Sequence, residues 1–299
     1  MSYRTLLLIV LLVPALLVGG AAALGMRIPV PEWSRDYVLR FALGEESAPV
    51  ELPAIVGPDD PSLPLVVIDA GHGGRDPGAI GKDARGRRVQ EKDITLALAL
   101  ALRDELLRAG RIRVALTRDD DRILPLSYRP EIARQLDADL FVSIHADSAG
   151  ERDDVSGASI YTLSEEASSE AAARFAAREN DADRLNGIAI EGQSEAVSAI
   201  LVELSQQRTQ EDALEFSGLV VREGGDQLAF VPRPRRSAAL AVLRAPDVPS
   251  VLFESGFVTN RTDRDRLTTP EGQAQYAGVL ARAIRVYFAR RIDPADAGA

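Results

Sequence analysis

The chain has 299 residues and a 46% apolar share, which suits one large domain with a substantial core. Its formal net charge is −10 and no basic cluster stands out, which argues against a nucleic-acid binder. Cysteine is absent, so disulfides and thiolate chemistry are excluded, and imidazole chemistry rests on two histidines, His72 and His145.

The N-terminus opens with Arg4 and an uncharged apolar run over 6–18, followed by small residues that include Ala21, Ala22 and Ala23. This pattern predicts a secretory signal peptide over 1–25, with a retained membrane anchor as the alternative. Either way the remainder is expected to work outside the cytoplasm. Residues 26–62 hold several prolines and little periodicity, and read as a linker or N-terminal arm. The catalytic domain is expected over 63–292, with a short tail over 293–299.

Within that domain, Val66, Val67 and Ile68 mark a first buried strand that runs into His72. Apolar residues at helical spacing over 91–109 predict a helix, stopped by Gly110. A second strand is expected at 113–117, a helix at 126–136, and a third strand at 139–144 that runs into His145. A fourth strand is expected at 158–162, a late strand at 251–254, and a long final helix at 271–290. Alternating strands and helices predict an α/β fold: a mixed, mainly parallel central sheet flanked by helices. Between about 164 and 235 the pattern changes to a helical insertion. An Ala-rich acidic stretch covers 164–186, with Ser164 or Ser168 as its N-cap, and further helices are expected at 196–204 and 213–221. No strand is expected there, and the arginine-rich run 232–236 reads as a solvated loop.

Both histidines follow apolar strands, where α/β proteins place their chemistry. Neighbouring strands would bring them together as a metal pair. A third ligand is expected from a carboxylate on a rigid element, and Glu91 opens the helix 19 residues after His72. The plain alternative for Glu91 is a favourable interaction with the helix dipole. Glu254 ends the apolar run VPSVLFE, where a buried carboxylate is costly unless paired or used, and is a candidate base.

Four segments in order, VVIDAGHGGRDPGAIG, EKDITLALA, LFVSIHAD and PSVLFESGFVTN, resemble the zinc-dependent N-acetylmuramoyl-L-alanine amidases of the amidase-3 type used in bacterial cell division. The resemblance implies that His72, Glu91 and His145 hold Zn2+ and that Glu254 is the catalytic glutamate. The implied reaction cleaves the amide between the lactyl group of N-acetylmuramic acid and L-alanine of the peptidoglycan stem peptide. Asp69 and Asp147 are candidates for supporting the ligands from behind. The resemblance also gives the insertion a regulatory role: a glutamate from it blocks the metal until a periplasmic activator of the division machinery displaces it. Glu179, in ARENDAD, is the expected blocking ligand, with Glu170, Glu191 and Glu195 as alternatives. Ile200, Leu201 and Leu204 are expected to form a partner face or to pack the lid onto the core. A zinc carboxypeptidase and a catalytically silent wall-binding regulator are the competing readings. A non-haem iron oxygenase is disfavoured because residue 74, two after His72, is glycine.

Overall fold

A computed structural model describes residues 51–150, 152–185 and 199–292. The expected signal peptide, most of the expected N-terminal arm and the expected tail lie outside them. So do Glu191 and Glu195, and the side chains of Ile200, Leu201 and Leu204.

The sheet is built from β1 (Leu65–Ala70), β4 (Arg113–Leu116), β5 (Leu140–Asp147), β6 (Ala158–Leu163), β7 (Phe230–Ala238) and β8 (Ser250–Phe257). Its spatial order is β4-β1-β5-β8-β6-β7. Only the β6–β8 pairing is antiparallel. A separate hairpin joins β2 (Ile80–Lys82) to β3 (Arg88–Gln90). The helices are α1 (Glu91–Ala109), α2 (Tyr128–Gln135), α3 (Glu170–Glu179), α4 (Ala182–Leu185), α5 (Ala199–Gly224), α6 (Arg261–Leu267) and α7 (Pro270–Ile292).

Strand residues alternate between two cores, as the two-residue period of a strand demands. Val66, Ile68, Val142, Ile144, Val251 and Phe253 face a layer built from α1, α5 and α7. Val67, Phe141, Tyr161 and Leu252 face the opposite layer, which α2 and α3 cover. β1 has β4 on one side and β5 on the other, so the chain changes direction across the sheet at β1. The crevice at the carboxyl ends of β1 and β5 is therefore the place where such a sheet binds its ligand.

Three expectations need correction. The run 232–236 is not a loop but part of β7, the edge strand of the sheet. Two steps along β6, from Ala158 to Ile160, match five along β7, from Phe230 to Arg235, so Pro232 and Pro234 sit in a bulge. Proline cannot donate to a ladder, but a bulged edge strand tolerates it. The separate helices expected at 196–204 and 213–221 are one helix, α5, over the described residues. The cap of α3 is Ser169, not Ser164 or Ser168: its side chain accepts from Ala172 N. Ser168 instead ties the start of α3 to the edge strand, through Ser168 N to Ser237 O at 2.9 Å and Ser237 N to Ser168 Oγ at 3.0 Å. Within the N-terminal arm, Val56 forms an antiparallel bridge with Val114.

Candidate metal centre

His72 leaves β1 in a glycine loop and adopts φ 62, the left-handed region that side chains rarely occupy. Buried arginines hold the backbone there. Arg129 Nη1 donates to Ala70 O (2.9 Å) and Nη2 to His72 O (2.8 Å). Arg118 donates to Ala70 O (2.9 Å) and Gly71 O (2.8 Å). Such a conformation persists only where its surroundings over-determine it, and it marks a functional site. Two glycines are required by close approach. A Cβ on Gly71 would collide with the His145 ring, and one on Gly78 would stand 2.5 Å from Glu91 Oε2 and 2.7 Å from His72 Cδ2.

The parallel register of β1 and β5 brings His145 beside the His72 loop, and the ring centroids are 4.8 Å apart. Glu91, at the first position of α1, accepts from Ala79 N (2.7 Å) and Ala146 N (2.8 Å). Its Oε1 lies 3.0 Å from His72 Nε2 and 3.1 Å from His145 Nδ1. From the opposite side, the last residue of α3 enters: Glu179 Oε2 is 3.5 Å from His72 Nε2 and 3.3 Å from His145 Nδ1. Among the described residues His72 Nε2 makes no hydrogen bond, although Glu91 Oε1 lies within ion-pair distance of it. Among the described residues, ligand atoms of His72, His145 and Glu179 lie within 4.8 Å of one another and could hold a metal ion. Glu170, by contrast, is exposed at the start of α3 and, among the described residues, pairs with Arg174.

The electrostatics favour a cation here. Burial opposes charging of His72, yet Glu91, Asp76 and Glu179 hold its pKa well above the ordinary imidazole value. Burial also opposes charging of Glu91, but the two imidazoles hold it well below the usual carboxylate range. A bound metal ion would take the role of that proton.

Glu254 stands beside His145 in the β5–β8 register. Both its carboxyl oxygens are buried, and among the described residues neither has a hydrogen-bond partner. Burial, and then the nearby Asp147, Glu91 and Glu179, push its pKa well above the usual range; Arg178 opposes them.

Neither Asp69 nor Asp147 hydrogen-bonds an imidazole. Asp69 accepts from Thr117 (2.6 Å), Ser143 (2.6 Å) and Arg129 (2.8 Å), and so bears on His72 only through Arg129. Asp147 pairs with Arg178 of α3, and burial pushes its pKa up to about 6. The carboxylate that does orient a histidine is Asp76, whose Oδ2 is 2.8 Å from His72 Nδ1. Sequence reasoning missed Asp76, although it lies four residues after His72 in the same loop. It also missed Arg118, Arg129 and Arg178, whose roles depend on contacts remote in the chain.

The family model for N-acetylmuramoyl-L-alanine amidase, Amidase_3, matches residues 66–286, which include all of these groups. Among curated proteins, the chain is similar to AmiC of Escherichia coli O6:H1, with 34% identity over 79% of this chain and 55% of that protein. It therefore spans about half the length of that relative. It is also similar to AmiA of Salmonella typhimurium, with 36% identity over 75% of this chain and 76% of that protein. Among solved structures it resembles the amidase AmiC2 of Nostoc punctiforme, with a TM-score of 0.53 and 30% identity over 76% of this chain and 98% of that one. With a family match across most of its length and these relatives, the chain belongs to the N-acetylmuramoyl-L-alanine amidases of the Amidase_3 family.

Proposed function

We propose that the chain is a zinc-dependent peptidoglycan amidase held closed by its own α3 lid. It would hydrolyse the amide between the lactyl group of N-acetylmuramic acid and L-alanine of the stem peptide. The observation that carries this reading is the convergence of two imidazole nitrogens and two carboxylate oxygens, with neighbouring separations of 3.0, 3.1, 3.3 and 3.5 Å. Ligands about 2.0–2.1 Å from a tetrahedral zinc stand about 3.3 Å apart, so the donor set fits the metal in both chemistry and spacing. His72, Glu91 and His145 would hold it, and Glu179 would fill the position that substrate needs.

When bound, zinc would acidify a water molecule and polarise the scissile carbonyl. Glu254 would take a proton from the attacking water as its oxygen adds to the carbonyl carbon. It would return that proton to the leaving amine nitrogen as the C–N bond breaks. A carboxyl group whose pKa is raised suits both halves of this transfer, because it accepts a proton more readily than an ordinary carboxylate and is still acidic enough to return it. Asp76 would fix the His72 ring so that Nε2 faces the metal. The leader segment supports export to the periplasm, and a lid across the site supports activation by a partner there.

Purified sacculi test this reading, with products of the full chain and of Glu179→Ala analysed by mass spectrometry, each with and without chelator. The expected result is chelator-sensitive release of intact stem peptides beginning with L-alanine, at least about tenfold faster in the variant. Equal rates would sink Glu179 as the block. Release of single amino acids would replace the amidase with a carboxypeptidase.

A further inference from the structure

The lid covers more than the metal centre. On the sheet face shared with Glu254 and His145, Glu254 pairs with Ser159, and Leu252 pairs with Tyr161. Tyr161 therefore lies one strand over and two residues along from Glu254, roughly 8 Å away by strand spacing. An extended peptide covers that distance in two to three residues. Phe175 of α3 stacks on the Tyr161 ring, with centroids 4.6 Å apart and planes at 27°. From the edge strand, Arg236 Nη1 donates to Tyr161 Oη at 3.0 Å, and its guanidinium lies 5.8 Å from the ring centroid.

This pair, Tyr161 buried and Arg236 half-buried, offers donors and holds no carboxylate. Among the described residues, Arg236 has no carboxylate within ion-pair distance, and its one other hydrogen bond runs to Arg233 O at 3.2 Å. Of the guanidiniums nearer the metal centre, Arg178 and Arg129 are matched to carboxylates and Arg118 spends its donors on backbone carbonyls. The Tyr161 side chain is fully buried, yet its hydroxyl proton finds no acceptor among the described residues. An unmatched buried donor costs free energy, so its retention calls for a partner that the closed state lacks. The neighbouring Arg235 gives the contrast: it turns to the other face and bonds Ser217 Oγ (3.0 Å) and Leu214 O (3.2 Å) of α5.

We propose that Tyr161 and Arg236 form a carboxylate-binding subsite, uncovered when α3 departs, that receives an acidic residue of the leaving peptide. The proposal rests on the amidase reading above. A guanidinium and a phenol O–H side by side offer charge-assisted bonds to one carboxylate, the strong and directional class of hydrogen bond. The ligand is thus a peptide with a carboxylate two or three residues beyond the scissile amide. In the closed protein Phe175 covers the Tyr161 ring, so α3 would screen the peptide path as well as the metal.

The test is calorimetry on the zinc-stripped full chain carrying Phe175→Ser and Glu179→Ala to loosen the lid. The probes are muramoyl peptides with glutamate or glutamine at the second or third residue. The glutamate forms should bind about tenfold or more tightly than their glutamine counterparts. Adding Arg236→Gln should bring the two within about twofold. Arg236→Lys should keep part of the preference, and unchanged melting temperatures would exclude misfolding. A preference that survives Arg236→Gln, or no preference in the lid-loosened protein, overturns the subsite. The same preparations, reloaded with zinc and given sacculi, separate the two readings. Stem-peptide release without any glutamate preference sinks the subsite alone. A preference that Arg236→Gln abolishes, with no release from sacculi, keeps the subsite and sinks the amidase.

Discussion

Asp76 decides which nitrogen of His72 is free. Its Oδ2 meets His72 Nδ1 at 2.8 Å and its Oδ1 accepts from Gly78 N at 3.0 Å, so one carboxylate fixes both ring and loop. An asparagine would keep the Gly78 bond but turn an N–H donor toward Nδ1. The proton then moves to Nε2, which loses the lone pair a metal needs. Asp76→Asn is expected to weaken zinc binding about 10- to 100-fold, the usual effect of losing a group that orients a ligand. Competition with a fluorescent chelator measures this directly, and unchanged affinity would remove Asp76 from the site. The residues that the sequence made legible were those at ends of regular elements: His72 and His145 after apolar strands, Glu254 closing another, and Glu91 opening α1. Asp76 was hidden because it sits in an irregular loop where spacing implies no direction. Arg118 and Arg129 were hidden because most of their acceptors are backbone carbonyls that only the folded chain presents.

The α3 helix packs as an ordinary core helix, and its last residue, Glu179, reaches the two histidines. Ala172, Phe175 and Ala176 are buried against the α2-side core, while Arg178 pairs with Asp147 and Asn180 bridges Ala239 O and Ala241 N. Apolar burial and polar latches thus act together, and Phe175 is the largest apolar contribution. Truncating a buried phenylalanine costs about 3–5 kcal/mol, and 3 kcal/mol corresponds to roughly a hundredfold shift of an equilibrium. In Phe175→Ala, amides of 170–179 are expected to exchange with deuterium some hundredfold faster than in the parent, while α1 and the central strands keep their protection. If α1 and the sheet lose protection together with α3, the lid does not open as a separate unit. The helical character of this insertion was legible in its alanine and charge pattern. The edge strand β7 was not, because Pro232 and Pro234 read as breakers, and the bulge that accommodates them depends on pairing with β6, far away in sequence.

Across the whole molecule, buried carboxylates on one sheet face act on stability in opposite senses. Burial alone would raise the pKa of Asp69, but Arg129, Ser143 and Thr117 outweigh it and hold the carboxyl below its ordinary value. It ties β1 to the residue after β4, to β5 and to α2. Its stabilisation is therefore complete above the unfolded value near 4 and disappears as pH falls through the lower folded value. Glu254 has the reverse sign. Its folded pKa is raised, so between the unfolded and folded values the native state retains a proton that the unfolded chain has released, and stability falls as pH rises through that window. Urea midpoints from pH 3 to 8, in chelator so that no metal intervenes, should separate the two. Asp69→Asn should lose about 3–5 kcal/mol at pH 7, because it leaves Arg129 buried without its counter-charge, and should lose progressively less toward pH 3. Glu254→Gln should be more stable than the parent at pH 7 and equal to it below about pH 4. It should also be inactive on sacculi. A Glu254→Gln midpoint lower than the parent at pH 7 would mean that the carboxylate is matched in the native protein, and would leave the site without its base.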